Sequence, residues 1–195
     1  TLARQIIAGA PVDLFISADL FQMDRVADEG LIRTQTRVDL LSNQLVIVVP
    51  VAPADVTASL TSPAALLELM FGRIAIGDPA GVPVGVYARA YLEAVGLWDA
   101  LRDRMVPARS TRATLAIVET GAVDAGIVYH TDAMSSAGVR VVFEVPAAEG
   151  PAIAYPAAVT TQARNPEAAE RLLAYLQGPA ARAVFEQAGF IVLEA

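Results

Sequence analysis

Apolar runs and amphipathic segments alternate along almost the whole chain. The apolar runs predict strands over residues 13–18, 44–49, 73–76, 125–129, 139–145 and 152–160. Apolar residues at helical spacing predict helices over residues 1–9, 20–29, 62–69, 84–95, 111–119, 165–176 and 179–188. Because strands and helices alternate, we predict an α/β fold with mostly parallel sheets flanked by helices.

Two breaks in this pattern indicate that the chain crosses twice between two lobes. One break lies at residues 40–43, before the strand predicted at 44–49, and the other at residues 149–151. Two separate crossings would form a hinge. We therefore predict a discontinuous first lobe, residues 1–42 and 152–195, and a second lobe, residues 43–151.

A loop rich in glycine and proline, residues 77–87, joins the strand predicted at 73–76 to the next helix. Pro83 suits the first helical turn, where a missing N–H has no cost. The amides of Val84 and Gly85 are then expected to lack partners within the helix. A helix N-terminus with free amides is able to bind an anion, although many helices begin in this way and bind nothing. The loop therefore indicates a small anion held by backbone amides.

Composition narrows the function classes. The net charge is −7 and all 14 basic residues are arginines without a basic cluster, which argues against nucleic acid as a partner. The absence of cysteine excludes disulfides, thiolate zinc sites and a cysteine nucleophile. No nucleophile elbow, phosphate-binding Walker loop or His-rich motif is present, so we expect neither an enzyme nor a cofactor.

Short segments spread over nearly the whole chain form an ordered set. They are GAPVDLFISAD at 9–19, NQLVIV at 43–48, GDP at 77–79, VPVGVYA at 82–88, LAIVE at 115–119, GIVY at 126–129, TDA at 131–133, YP at 155–156, GPAA at 178–181, Phe185, and GF at 189–190. This set resembles the periplasmic molybdate-binding proteins of ABC transporters. The resemblance implies a two-lobed periplasmic-binding-protein fold of type II with a closing hinge.

The resemblance also implies a ligand site. Members of that family hold a tetrahedral dianion in the interlobe cleft with neutral hydrogen-bond donors. Carried over to this sequence, the donors are the amides of Val84 and Thr111 and the hydroxyl of Tyr129, with Gly85 and Ser110 as weaker candidates. No direct cation site is implied, because molybdenum enters only as the bound oxyanion.

The function implied is that of the solute-binding component of a molybdate or tungstate importer. Its ligand would be molybdate or tungstate, its partner a membrane permease, and its location the periplasm. The alternative is an effector-binding module of a transcription regulator with the same fold. That alternative would need a DNA-binding helical region, which this sequence does not contain.

The resemblance further predicts a missing part. The family's two serine-bearing loops in the first lobe have no counterpart here, so we expect the N-terminal strand–helix–strand unit to be absent and the first lobe to be incomplete. Strand edges exposed in this way would favour self-association. We expect weakened molybdate binding in the chain as given.

Each site residue also has a simpler interpretation. Tyr129 could be a core tyrosine, and Ser110 an ordinary helix N-cap. Asp78 is predicted to shape its own turn through side-chain-to-backbone bonds. Arg112 and His130 are expected to have no direct role in the site.

Overall fold

The computed structural model describes residues 1–51, 62, 64, 67 and 72–193. The described helices are α1 (Leu2–Ile7), α2 (Leu20–Asp28), α3 (Pro83–Ala94), α4 (Trp98–Leu101), α5 (Thr111–Glu119), α6 (His130–Met134), α7 (Pro166–Leu176) and α8 (Pro179–Gln187). The described strands are β1 (Leu14–Ile16), β2 (Val38–Ser42), β3 (Leu45–Pro50), β4 (Ile74–Gly77), β5 (Met105–Ala108), β6 (Ala125–Tyr129), β7 (Val139–Glu144), β8 (Tyr155–Val159) and β9 (Ile191–Val192). Of the helix predicted at 62–69, all but residues 62, 64 and 67 lie outside the described residues, so this prediction stays untested.

Contacts divide the chain into two units. Unit 1 comprises Thr1–Ser42 and Ile153–Ala195, and unit 2 comprises Asn43–Ala152. Each unit contains one sheet with helices packed on it. No helix in the described part of the chain has both the length and the apolar character needed to cross a membrane.

Unit 1 is built on the sheet β1-β8-β2-β9. Successive residues of β8 point to opposite faces, so Ala158 packs with α1 and α2, whereas Ala157 and Val159 pack with α7. Met23 of α2 and Leu173 of α7 are buried in these two clusters. The sheet therefore has an apolar layer on each face.

Unit 2 is built on the sheet β5-β4-β6-β3-β7. Strands β4 and β6 are buried along their whole length, as expected of strands covered on both faces. A core cluster joins β3, β4 and β6 to α5 through Val46, Ala75, Val118 and Val128. This buried frame fixes the strand ends from which the candidate donors project.

The two sheets with flanking helices confirm the α/β class, but the expectation of mostly parallel sheets is wrong. In unit 1, β8 pairs antiparallel with both β1 and β2, and β2 pairs antiparallel with β9. In unit 2, β4 is parallel to β5 and β6, whereas β3 is antiparallel to β6 and β7. Strand direction depends on how the chain returns to the sheet, and an apolar run carries no information about it.

Candidate functional site

Three parallel strands of unit 2 end at one edge of its sheet. Gly77 of β4 pairs with Ala108 of β5, and the Asp78 N–H donates to the Ala108 carbonyl at 2.7 Å. On the other side, β4 pairs in parallel with β6, whose last residue is Tyr129. The carboxyl ends of parallel strands are where open α/β sheets bind ligands. We call the edge that carries Val84, Thr111 and Tyr129 the donor edge.

The first donor-edge residue, Val84, lies in the first turn of α3. Pro83 occupies the first helical position and brings no N–H. The Val82 carbonyl accepts from Val86 at 3.0 Å, which begins the helical ladder. Among the described residues the Val84 N–H has no hydrogen-bond partner, and Val84 itself is fully buried, so this amide remains a predicted donor.

Gly85 differs from its prediction. Its N–H donates to the Val82 carbonyl at 2.9 Å, because the first turn closes with a tight bond to the residue three positions earlier. The expected free Gly85 amide is therefore wrong. The structure shows a different requirement: a Cβ on Gly85 would lie 1.9 Å from the Gly77 carbonyl oxygen. Gly85 allows α3 to pack directly against the end of β4.

The second donor-edge residue, Thr111, is the first residue of α5. Ser110 is its N-cap, as predicted, and the Ser110 hydroxyl accepts from the Ala113 N–H at 3.1 Å. The Ser110 carbonyl accepts from the Thr114 N–H at 2.9 Å. These bonds leave the Thr111 N–H without a partner among the described residues. Ser110 therefore shapes the start of the helix, and the Thr111 amide remains a predicted donor.

The third donor-edge residue, Tyr129, ends β6 and is the N-cap of α6. Its side chain is 8% exposed and its hydroxyl oxygen is buried. Across the sheet it pairs with Leu45 of β3. A phenol is neutral at physiological pH and can donate one hydrogen bond, which suits an anion.

A family model described as bacterial extracellular solute-binding protein matches residues 1–191. That match covers nearly the whole chain. The chain belongs to this family. The family consists of solute-binding proteins, which is consistent with the expectation that the chain is not an enzyme.

Relatives within the solute-binding family include molybdate-binding proteins. The molybdate-binding protein ModA of Escherichia coli is 42% identical over 193 residues, which are 98% of this chain and 75% of that protein. ModA of Haemophilus influenzae is 34% identical over 190 residues, 97% of this chain and 74% of its own length. The Azotobacter vinelandii periplasmic molybdate-binding protein superposes with a TM-score of 0.82 at 25% identity, covering 99% of this chain and 84% of that one.

Two charged residues near the donor edge of this solute-binding protein were not predicted to interact. Asp132 is at the third position of α6, and its carboxylate accepts a hydrogen bond from the Tyr129 backbone N–H. Burial raises the pKa of Asp132, while that hydrogen bond and the positive charge of Arg112 act in the opposite direction. Arg112, next to Thr111, therefore acts on a carboxylate. The sequence analysis missed this bond because Tyr129 is not one of the residues that mark a capped helix start, so the pair Tyr129 and Asp132 gives no recognisable signal.

The remaining predicted residues contribute shape. The Asp78 carboxylate accepts from the Ala80 N–H at 2.9 Å, which confirms the predicted turn. The His130 N–H donates to the Gln44 carbonyl at 2.8 Å and continues the pairing of β6 with β3. Among the described residues, no group of three or more His, Cys, Asp or Glu side chains is arranged to hold a metal ion.

Proposed function

We propose that this chain is the solute-binding component of a molybdate or tungstate ABC importer. The observation that carries the proposal is the donor edge. Three neighbouring parallel strands end there; two of them lead to the helix starts that contain Val84 and Thr111, and the third ends at Tyr129. Relatives named as molybdate-binding proteins support the choice of ligand. The ligand is a tetrahedral oxyanion, with the amides of Val84 and Thr111 and the hydroxyl of Tyr129 as donors.

Neutral donors suit a fully ionised oxyanion. Each hydrogen bond to a charged group contributes about 1.5–3 kcal/mol. Helix starts add a partial positive charge without burying an ionised side chain that would need its own counter-charge. An acidic protein can therefore bind an anion through local geometry.

Selectivity follows from size and protonation. Molybdate, tungstate and sulfate carry the same charge, so discrimination against sulfate depends on the size of the cage. Phosphate is partly protonated near neutral pH, and its O–H requires an acceptor. A site made only of donors leaves that O–H without a partner, which disfavours phosphate.

The partners follow from the transport role. We propose that a membrane permease accepts the oxyanion from this protein and that the protein works in the periplasm. The names of the two curated relatives above favour this role over the regulator module considered from the sequence.

Titration calorimetry with four oxyanions tests the proposal. Two proteins are compared. One is the 195-residue chain, and the other is an extended chain in which these 195 residues are joined to the part of E. coli ModA that they do not match. We expect the extended chain to bind molybdate and tungstate more tightly than the 195-residue chain does. Sulfate and phosphate should bind at least about tenfold more weakly, a difference of about 1.4 kcal/mol. Equal affinity for sulfate, or no molybdate binding by either protein, would contradict the proposal.

Ser110→Asp separates the capping role of Ser110 from ligand binding. Aspartate is an equally good N-cap and interacts favourably with a helix N-terminus, so the free energy of unfolding should change by less than about 0.5 kcal/mol. Its carboxylate would repel an oxyanion beside the Thr111 amide, so affinity for molybdate should fall. Ser110→Asn, a neutral cap, is the matched control and should retain binding. Equal affinities of the two variants would show that no anion binds at this helix start.

A further inference from the structure

The turn formed by residues 129–132, where β6 passes into α6, is held in unit 2 by hydrogen bonds of its backbone and of its side chains. Its first residue is Tyr129, so this inference rests on the proposed function. The backbone on one side follows β3, because Tyr129 pairs with Leu45 and the His130 N–H reaches the Gln44 carbonyl. These bonds fix the backbone of the turn, but two side chains complete its attachment.

Asn43 supplies the first side-chain attachment. It is the first residue of unit 2 and is only 5% exposed. Its side-chain amide donates to the Thr131 hydroxyl at 2.9 Å, and its side-chain carbonyl accepts from the Gln44 N–H at 2.9 Å. A buried asparagine with both ends bonded holds a single rotamer, so the position of Thr131 relative to β3 is fixed.

Asp132 supplies the second attachment. Its carboxylate accepts from the Tyr129 backbone N–H, which closes the turn on itself in the manner of a capping box. Arg112 lies on the neighbouring helix α5, which is in contact with α6, and its positive charge acts to lower the pKa of Asp132. Asp132 therefore closes the turn that begins at Tyr129, and the charge of Arg112 favours the ionised form of its carboxylate.

We infer that Asn43, through Thr131, and Asp132 are positioning residues that hold the Tyr129 hydroxyl in the direction needed for the oxyanion. Neither side chain is assigned a contact with the ligand. A donor that is held in place before the ligand arrives loses less conformational entropy on binding. Loosening either attachment should therefore weaken binding even in a folded protein.

Thr131→Val removes the hydroxyl while keeping the shape of the side chain. We expect molybdate affinity, measured by calorimetry in the 195-residue and extended chains, to fall by about tenfold, by analogy with the smallest effects seen when a residue that orients a metal ligand is replaced. Thr131→Ser restores the hydroxyl and should restore the affinity. Thr120→Val is the control, because the Thr120 hydroxyl donates to the Ile117 carbonyl at the far end of α5. It should leave molybdate affinity unchanged.

A double-mutant cycle shows whether Thr131 acts through Tyr129. If it does, Thr131→Val should change affinity much less in a Tyr129→Phe background than in the unsubstituted chain. Equal effects in both backgrounds would overturn the inference, as would unchanged affinity in a folded Thr131→Val variant. Failure of the unsubstituted proteins to bind molybdate would instead overturn the proposed function, and with it this inference.

Substitutions of Asp132 test the positioning role independently of Thr131. Asp132→Asn keeps an oxygen that accepts from Tyr129 and removes a negative charge, so affinity should be retained or increased. Asp132→Ala removes the acceptor and should lower the affinity. The burial that raises the pKa of Asp132 disfavours its ionised form, so the neutral asparagine should fold at least as well. Equal affinities of the two variants would show that Asp132 does not position Tyr129.

Discussion

Gly85→Ala is expected to abolish high-affinity oxyanion binding. The added Cβ would lie 1.9 Å from the Gly77 carbonyl oxygen and 2.4 Å from its carbon, both backbone atoms that no rotamer change can move. The start of α3 must therefore shift away from β4 by more than 1 Å to reach an ordinary contact, and the Val84 amide moves with it. A misplacement of about 1 Å can cost about 100-fold in a site that depends on geometry.

The same substitution should also destabilise the protein, because overpacking a buried contact costs about 1–3 kcal/mol and sometimes more. Gly81→Ala is the matched control: it lies in the same loop, and a Cβ there has no neighbour within 4 Å. Chemical denaturation gives stability, and calorimetry with molybdate gives affinity. If Gly85→Ala binds and unfolds like Gly81→Ala, the close packing of α3 on β4 does not place the donor.

Tyr129→Phe is expected to lower molybdate affinity by about 10- to 150-fold. One hydrogen bond to a charged group contributes about 1.5–3 kcal/mol, which corresponds to that range. The ring remains, so its packing at the end of β6 should persist and the melting temperature should change little. Calorimetry and thermal denaturation on the same preparations separate the two effects.

Tyr175→Phe controls for loss of a tyrosine hydroxyl, because Tyr175 lies on α7 in unit 1 and is 60% exposed. It should leave both affinity and melting temperature unchanged. Unaltered molybdate affinity in a folded Tyr129→Phe variant would mean that Tyr129 is the core tyrosine of the simpler interpretation.

Local signals in the sequence predicted most helices and the ends of several. Gly9, Gly30 and Gly189 mark the ends of predicted helices, and they have positive φ angles of 91°, 70° and 86°. Glycine adopts this conformation at little cost, which is why it ends helices. The cap at Ser110 was likewise predictable, because both partners of the bond lie within four residues.

Elements whose pattern is weak or interrupted were missed. The end of strand β2 was interpreted as a break between lobes, because the adjacent residues Leu40 and Leu41 disturb the alternation expected of a strand. In the structure, the pairing of β2 with β8 shifts register between Asp39 and Leu41. Strand β5 contains Pro107 and lies at the edge of its sheet, where proline is tolerated. Helices α4 and α6 have only four and five residues, too few to show a helical period.

The candidate site shows the same division between local and tertiary information. Pro83 in a helix start predicts the free Val84 amide, whereas the bond that occupies the Gly85 amide depends on the conformation of the first turn. Asn43 and Thr131 are 88 positions apart, so their contact is fixed by the pairing of β3 with β6 and has no local signal. Val84, Thr111 and Tyr129 remain predictions as ligand donors.

The most direct test is the position of the ion itself. Crystals of the 195-residue chain or the extended chain grown with tungstate would locate tungsten by its anomalous scattering. We predict one ion at the donor edge, with its oxygens about 2.7–3.2 Å from the amide nitrogens of Val84 and Thr111 and from the Tyr129 hydroxyl. An ion bound elsewhere, or one held by arginine side chains in place of these neutral donors, would contradict the account.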